Sequence, residues 1–298
     1  MVKLTKEQIL QKTITLNNGV KIPQFGLGTY LMVVSKSIYN SVICALQNGY
    51  RHIDTAEYYK NEEIIGNAIK DFLAENPEVK REDLFITSKI WNDNHEYELT
   101  KDALRGILTR LKLDYLDLCL IHWPTKQSFE CWRALEEFYE YGKVRAIGVS
   151  NFNSSQLKDF LKKIKIKPAI NQIETHPGFN QKKHNRFCYE NNIAVTSWRT
   201  MLGGRADEIP LLQELANKYK VTTSHIALRW AWQLGQVVIP KSTNPERIIS
   251  NPDIGGFELT EEEMLKIQKL PQTALGPQSN DKNFEKELWW IKFKKGVK

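Results

Sequence analysis

The chain has 298 residues, 41% of them hydrophobic and 26% charged, with a formal net charge of +7. This composition fits a globular chain with a sizeable core and not a disordered one. Cys44, Cys119, Cys131 and Cys188 form no C-x-x-C pair, so buried reduced thiols are expected and no disulfide framework or metal site is.

The N-terminal stretch "MVKLTKEQILQKTITLNNGV" has no apolar signal core and no run of membrane-spanning length, which predicts a cytoplasmic protein without a membrane partner. Next comes a hairpin. "TITLNNGVKIP" alternates Ile14 and Leu16, then Val20 and Ile22, around Asn18-Gly19, a dipeptide suited to a two-residue type I′ turn. From there short β-branched runs alternate with helical patterns. The strand candidates are "FGLGT", "RHIDTA", "LFITSKIW", "YLDLCLIHW", "VRAIGVSNF", "PAINQIETH", "IAVTSW" and "VVIPKS".

Amphipathic segments lie between the strands. Ile38, Val42, Ala45 and Leu46 share a face that stops near Gly49, and Ile64, Ile65, Ala68, Ile69 and Phe72 make the next stripe. Ala103, Leu104, Ile107, Leu108 and Leu111 make a third. Asn153 and Thr260 are placed as N-caps, the latter in a capping box with Glu263, and Pro210 suits a first helical turn. Alternating strands and helices imply a parallel sheet with right-handed crossovers. Eight such units predict an α/β fold, a closed (β/α)8 TIM barrel, with the N-terminal hairpin closing its bottom. One domain is expected over residues 1–298, with a C-terminal tail from 276.

In such a barrel, function collects at the C-terminal strand ends. The second strand ends in Asp54, the third in Lys89 and the fourth in His122; the fifth ends in Ser150-Asn151. The sixth carries Asn171-Gln172, the seventh ends in Trp198 and the eighth in Lys241-Ser242. Any one of these suits a strand cap or an ion pair; the set suggests a site. Asp54, a tyrosine, Lys89 and His122 suit proton chemistry. A phenol ionises near pH 10, and an adjacent ammonium is expected to lower that value. Asp54 would aim and charge Lys89, and His122 would offer a second hydrogen bond to a substrate oxygen. Spacing alone leaves open whether Tyr58 or Tyr59 is the tyrosine.

The stretches "DTAEYYKNEE", "ITSKIWN", "LIHWP", "GVSNF", "NQIETH" and "IPKS" with a following "RI" resemble, in order, the signatures of the aldo-keto reductases over roughly residues 13–277. The resemblance implies an NADPH-dependent reductase of aldehydes and ketones on the barrel already inferred. Its catalytic residues fall on Asp54, Tyr59, Lys89 and His122, with Tyr59 as proton donor. It also implies that Ser150, Asn151 and Gln172 hold the nicotinamide carboxamide and that Trp198 stacks on the ring. Thr29, Tyr30 and Asp54 would border the NADPH/NADP+ cofactor, Lys241, Ser242, Thr243 and Arg247 would meet the 2′-phosphate, and Asn251 the adenine. An ammonium and a guanidinium fit a dianionic phosphate. No G-x-G-x-x-G follows a strand, so a Rossmann site is not indicated.

After the seventh strand the family often reads aromatic-Ser-Pro-Leu-Gly, where this chain has "SWRTMLGG". Arg199 is therefore expected to strap the pyrophosphate. The short "TKQSFECW" after "HWP" resembles the short-loop branch of the family, which includes diketogluconate reductases and protozoal prostaglandin F synthases. An open pocket for small carbonyl substrates follows, lined by Tyr30, Tyr59, Trp91, His122 and Trp123. The tail "EKELWWIKFKK" fits no family pattern; it is expected to pack beside the barrel, with Trp289 and Trp290 outside the site. Two rival classes remain. A scaffold protein on this fold should often lose one of the four proton-chemistry residues, and none is lost. A nucleic-acid binder needs a motif beside its basic residues, and none is seen, so no nucleic-acid partner is expected, and a monomer is.

Overall fold

The computed structural model describes residues 3–278. The expectations for the tail beyond 278, including Trp289 and Trp290, lie outside the described residues. A short helix α1 (Lys6–Gln11) and the hairpin β1 (Thr13–Thr15) and β2 (Lys21–Pro23) precede the barrel. Its strands are β3 (Leu27–Gly28), β4 (His52–Asp54), β5 (Phe85–Ile90), β6 (Leu118–Ile121), β7 (Ile147–Ser150), β8 (Ile170–Glu174), β9 (Ala194–Trp198) and β10 (Val237–Val238). They pair in parallel in sequence order. The ring closes where Gly26 N–H donates to the Val238 carbonyl at 2.9 Å and Val238 N–H to the Gln24 carbonyl at 2.9 Å. Helices α2 (Ser35–Gln47), α3 (Glu62–Glu75), α4 (Tyr97–Leu111), α5 (Ser128–Glu140), α6 (Ser154–Phe160), α7 (Lys182–Glu190), α8 (Pro210–Tyr219), α9 (Thr223–Gln233), α10 (Pro245–Ser250) and α11 (Glu261–Gln268) alternate with or follow the strands. Among the described residues no helix is long and apolar enough to cross a membrane.

Strand parity positions the site. Along β6, Leu118 and Leu120 belong to the interior cluster, whereas Cys119 and Ile121 face the helices. The same alternation puts Phe85, Ala146, Ile170, Ala194 and Val237 inside, while Ile53, Ile86, Ile147, Ile173, Val195 and Val238 pack outward. Continued by twos to the C-terminal rim, the inward set reaches Asp54, Lys89, His122, Ser150, Gln172, Trp198 and Lys241. One register rule therefore turns apolar strands into a polar mouth.

The floor is apolar and stapled. Leu16 and Ile22 of the hairpin pack on the interior cluster, so the hairpin closes the bottom as expected. Its turn is not type I′. Gly19 N–H donates to the Leu16 carbonyl at 2.9 Å and Leu16 N–H to the Val20 carbonyl at 2.8 Å, which makes a three-residue loop of Asn17, Asn18 and Gly19. Gly19 has φ +85° and Asn18 is not in the left-handed region, whereas type I′ requires both. The reason lies in the floor. Asn17 donates to the carbonyls of Pro168 (2.8 Å) and Asn192 (3.1 Å), and Asn18 to that of Arg145 (2.9 Å), so tertiary bonds choose the loop. Nearby, buried Asp117 accepts from Arg81 and Arg145, each at 2.7 Å, and from Ile86 N–H at 2.9 Å. The caps at Asn153 and Thr260 and the Pro210 start of α8 form as expected.

Candidate active site

The mouth is built around one buried ion pair. Lys89 Nζ donates to Asp54 Oδ1 at 2.6 Å and to the Thr55 carbonyl at 2.8 Å, and lies 3.4 Å from Tyr59 Oη. Gln172 Nε2 donates to Asp54 Oδ2 at 2.8 Å, so both carboxylate oxygens are engaged. Lys89 is fully buried and Asp54 nearly so. Burial draws the Lys89 pKa down, and the Asp54 charge is the largest influence opposing it. Tyr59 ends a short helical turn, Glu57–Tyr59, one turn ahead of α3. Its ring centroid lies 5.6 Å from that of His122, nearly edge-on, and 5.1 Å from that of Tyr30. Asp54, Tyr59, Lys89 and His122 are thus brought together from β4, the β4–α3 loop, β5 and the end of β6.

The electrostatics of the phenol reverse the sequence-based expectation. The Tyr59 pKa is raised well above its ordinary value, first by burial, then by the Asp54 carboxylate and by Tyr30. Burial removes solvent from the phenolate, and the nearby Asp54 carboxylate disfavours it further. The site therefore holds a neutral phenol, a proton carried in place at neutral pH, rather than a poised phenolate.

Around this centre the other residues fall into four groups. Thr29 Oγ1 donates to the Asp54 carbonyl at 2.9 Å, and Asn61 Nδ2 to the Thr29 carbonyl at 3.0 Å. On the far rim Ser150 Oγ donates to the Gln172 carbonyl at 2.8 Å, Asn151 Nδ2 to the His122 carbonyl at 3.0 Å, and Trp198 Nε1 to Asn151 Oδ1 at 2.9 Å. Asn151 has φ +64°, a left-handed conformation that asparagine tolerates better than most residues. Trp91 and Trp123 are buried, and Tyr58 and Trp198 pack on them, forming an aromatic wall. Lys241, Ser242, Thr243, Arg247 and Asn251 make a separate group on the connection from β10 into and out of α10. There Asn244 caps α10 by accepting from Arg247 N–H at 3.1 Å and donates its own N–H to Ser242 Oγ at 3.1 Å.

Comparison with known proteins matches this architecture. The Aldo/keto reductase family pattern covers residues 26–272. The chain belongs to the aldo/keto reductase family. It is 44% identical over 274 residues to glyoxal reductase of Bacillus subtilis (strain 168), covering 91% of this chain and 98% of that one. It is 43% identical over 261 residues to the 9,11-endoperoxide prostaglandin H2 reductase of Trypanosoma cruzi (strain CL Brener), covering 86% and 90%. Among solved structures, a Bombyx mori aldo-keto reductase in complex with NADP superposes with a TM-score of 0.85 at 35% identity, covering 93% and 97%. This aldo-keto reductase is accordingly an oxidoreductase acting on carbonyl groups.

Tyr58, the second candidate tyrosine, and two residues that sequence did not single out, Asn61 and Glu174, shape the reductase site. Tyr58 stacks on Trp91 with centroids 3.9 Å apart and 25° between planes. Asn61 bridges the first two loops, accepting from Thr55 Oγ1 at 2.7 Å. Glu174, buried at the end of β8, accepts from Leu275 N–H (2.8 Å), Gly276 N–H (3.1 Å) and Gln278 Nε2 (2.8 Å). It draws that segment across the mouth. Gly276 lies so close to Trp198 that a Cβ there would fall 2.7 Å from the indole. Asn61 and Glu174 lay within recognised motifs, but sequence does not reveal their partners. Arg199, with φ +58°, donates to the Leu275 carbonyl and places its guanidinium 5.6 Å from the Trp198 ring centroid. That partner was not foreseen.

Proposed function

We propose that this chain reduces small aldehydes and ketones to alcohols with NADPH, Tyr59 supplying the proton. The observation that carries the reading is the Asp54–Lys89–Tyr59 chain at the mouth, beside His122 and an aromatic wall. The relatives' names indicate compounds to try beside simple aldehydes: glyoxal, a dialdehyde, for one, and for another a lipid endoperoxide, which is a peroxide and not a carbonyl. The described residues fit such a cofactor. Lys241 and Arg247 form no ion pair with a carboxylate among the described residues, and the Ser242 and Thr243 hydroxyls accompany them. Two cations with two hydroxyls suit a phosphate dianion. Ser150, Asn151 and Gln172 offer hydroxyl and amide groups, and Trp198 a ring face, for the nicotinamide end.

When bound, the dihydronicotinamide supplies the hydride that reduces the carbonyl carbon. The residues do the rest. Asp54 keeps Lys89 charged and fixed, and Lys89 presents positive charge to Tyr59 Oη. As negative charge grows on the substrate oxygen, the neutral phenol donates its proton there, and His122 offers a second contact. Trp91, Trp123 and Tyr30 bury the apolar part of the substrate. The test is loss of NADPH absorbance with a panel of aldehydes and ketones. Consumption with substrate-dependent alcohol formation supports the reading; no consumption with any activated aldehyde at millimolar concentration overturns it.

Two cofactor predictions follow from charge. Arg247→Ala removes one cation facing the proposed 2′-phosphate, a group NADH lacks. A charge-assisted hydrogen bond contributes about 1.5–3 kcal/mol, so NADPH affinity should fall about ten- to hundredfold with NADH nearly unchanged. Equal losses for both would remove the assignment. Arg199 is proposed to contact the pyrophosphate: a guanidinium carries five donors, and the Leu275 carbonyl takes only part of that capacity. Arg199→Ala should then weaken NADPH and NADH alike, by roughly tenfold. It should also flatten the salt dependence of binding, since screening acts on that pair. Unchanged dissociation constants for both cofactors would leave Arg199 as a strap for the 275 segment alone.

A further inference from the structure

Glu57 takes no part in the proton chain or in the proposed cofactor contacts, yet its carboxylate joins two loops of the mouth. One oxygen, Oε2, accepts from the Trp91 N–H at 2.9 Å; the other, Oε1, accepts from Asn94 Nδ2 at 2.7 Å. Glu57 opens the short helical turn that carries Tyr58 and Tyr59. Trp91 and Asn94 belong to the connection after β5. Asn94 is itself held, its N–H donating to the Trp91 carbonyl at 2.9 Å and its carbonyl accepting from Thr100 Oγ1 at 2.7 Å. The next residue, His95, reaches the third loop, with Nδ1 2.8 Å from Thr125 Oγ1, two residues beyond Trp123. Three loops bearing Tyr59, Trp91 and Trp123 are therefore tied behind the rings by polar bonds.

The rings in front record the outcome. Tyr58 is stacked on Trp91, and Trp91 meets His122 edge-on at 5.2 Å and 84°. The chain enters α5 at Ser128, so few residues follow Trp123 before the next helix. We infer that Glu57 is a positioning residue whose two hydrogen bonds hold Trp91 against Tyr58 and so set the face on which a bulky carbonyl substrate packs. The inference rests on the proposed placing of the carbonyl pocket against Trp91 and Trp123. A small aldehyde touches little of this face and should be indifferent to it.

The chemistry of the acceptors gives a rescue. Both partners of Glu57 are donors, and a carboxylate accepts from both. Glutamine keeps both links without charge: its oxygen accepts from Trp91 N–H, and its amide donates to Asn94 once that side-chain amide turns over. Alanine keeps neither. Asn94→Asp sets carboxylate against carboxylate, and the pair Glu57→Gln with Asn94→Asp restores donor to acceptor.

The experiment measures KM and kcat for para-nitrobenzaldehyde and for glyoxal, with NADPH affinity by fluorescence titration. Glu57→Ala and Asn94→Asp should raise KM for the aromatic aldehyde roughly tenfold, equivalent to the loss of about one hydrogen bond. KM for glyoxal and NADPH affinity should stay within about twofold, a difference well below one hydrogen bond. Glu57→Gln and the double variant should return the aromatic KM close to wild type. Parallel rises for both aldehydes, or no rise in either single variant, overturn the inference, as does failure of both rescues. If Glu57→Ala does not fold, Asn94→Asp and its rescue decide alone. Trp91→Ala separates the two readings. If it raises the aromatic KM while Glu57→Ala and Asn94→Asp do not, the inference fails and the pocket stands; if it changes nothing, the pocket assignment fails and the inference with it.

Discussion

Tyr59→Phe is expected to lower carbonyl reduction by about a hundred- to ten-thousand-fold, the usual worth of a positioned general acid. NADPH affinity should be nearly unchanged. The substitution removes one oxygen and leaves the ring that packs 5.1 Å from Tyr30 and 5.6 Å from His122. It also leaves Lys89 its bonds to Asp54 and to the Thr55 carbonyl. The loss should therefore appear in kcat more than in KM, the pattern of an interaction made in the transition state. The wild-type pH profile tests the same group. Burial holds the Tyr59 phenol neutral well past its ordinary range, so rising pH should not strip the donor near neutrality. Tyr58→Phe is the natural control. The Tyr58 hydroxyl, pushed up to about 12 mainly by burial, belongs to a ring stacked on Trp91, and its loss should cost little. Near wild-type turnover in Tyr59→Phe would move the role to Tyr58 or His122.

The sequence carried the barrel because its strands are short, β-branched and regularly punctuated, and because parity converts a linear string into an inside and an outside. Knowing that Leu118 and Leu120 face inward puts His122 at the mouth. The cluster of Asp54, Tyr59, Lys89 and His122 was legible for that reason, with the family resemblance choosing between the two tyrosines. Properties set by tertiary environment were not legible. The hairpin turn followed bonds from Asn17 and Asn18 to carbonyls more than a hundred residues away. The phenol was raised, not lowered, because burial depends on what surrounds Tyr59 rather than on which residue stands beside it. Glu57 and Glu174 lie inside motifs that sequence recognises, yet the string does not show that each accepts hydrogen bonds from a distant segment of the mouth.

Asp54→Asn should be the most costly of these substitutions for stability. Lys89 has no solvent exposure, and its charge is held by one carboxylate at 2.6 Å and one carbonyl at 2.8 Å. Removing one partner of a buried pair commonly costs about 3–5 kcal/mol, because the remaining charge is left without compensation. The amide also forces a choice. If its oxygen faces Lys89, its nitrogen faces the Gln172 amide nitrogen that now donates to Asp54 Oδ2 at 2.8 Å, so Gln172 must turn over. That reversal would swap donor and acceptor at a residue proposed to hold the nicotinamide carboxamide. Losing the opposing carboxylate should also let burial lower the Lys89 pKa further. The sign of the pH dependence follows. A lysine whose folded pKa lies below its unfolded value, about 10.4, gains stability as pH rises between the two. In the variant that window opens at a lower pH than in the wild type. The stability difference should therefore be largest near neutrality and below, and shrink as the buffer turns alkaline. Reduction should be impaired by the reversed Gln172 amide at any pH, and further above the lowered Lys89 pKa, where a neutral Lys89 presents no charge to Tyr59. Melting temperatures of both proteins from neutral to alkaline pH, with turnover beside them, measure this. A difference that is constant with pH would mean that Lys89 keeps its proton without Asp54, and that the carboxylate serves orientation alone.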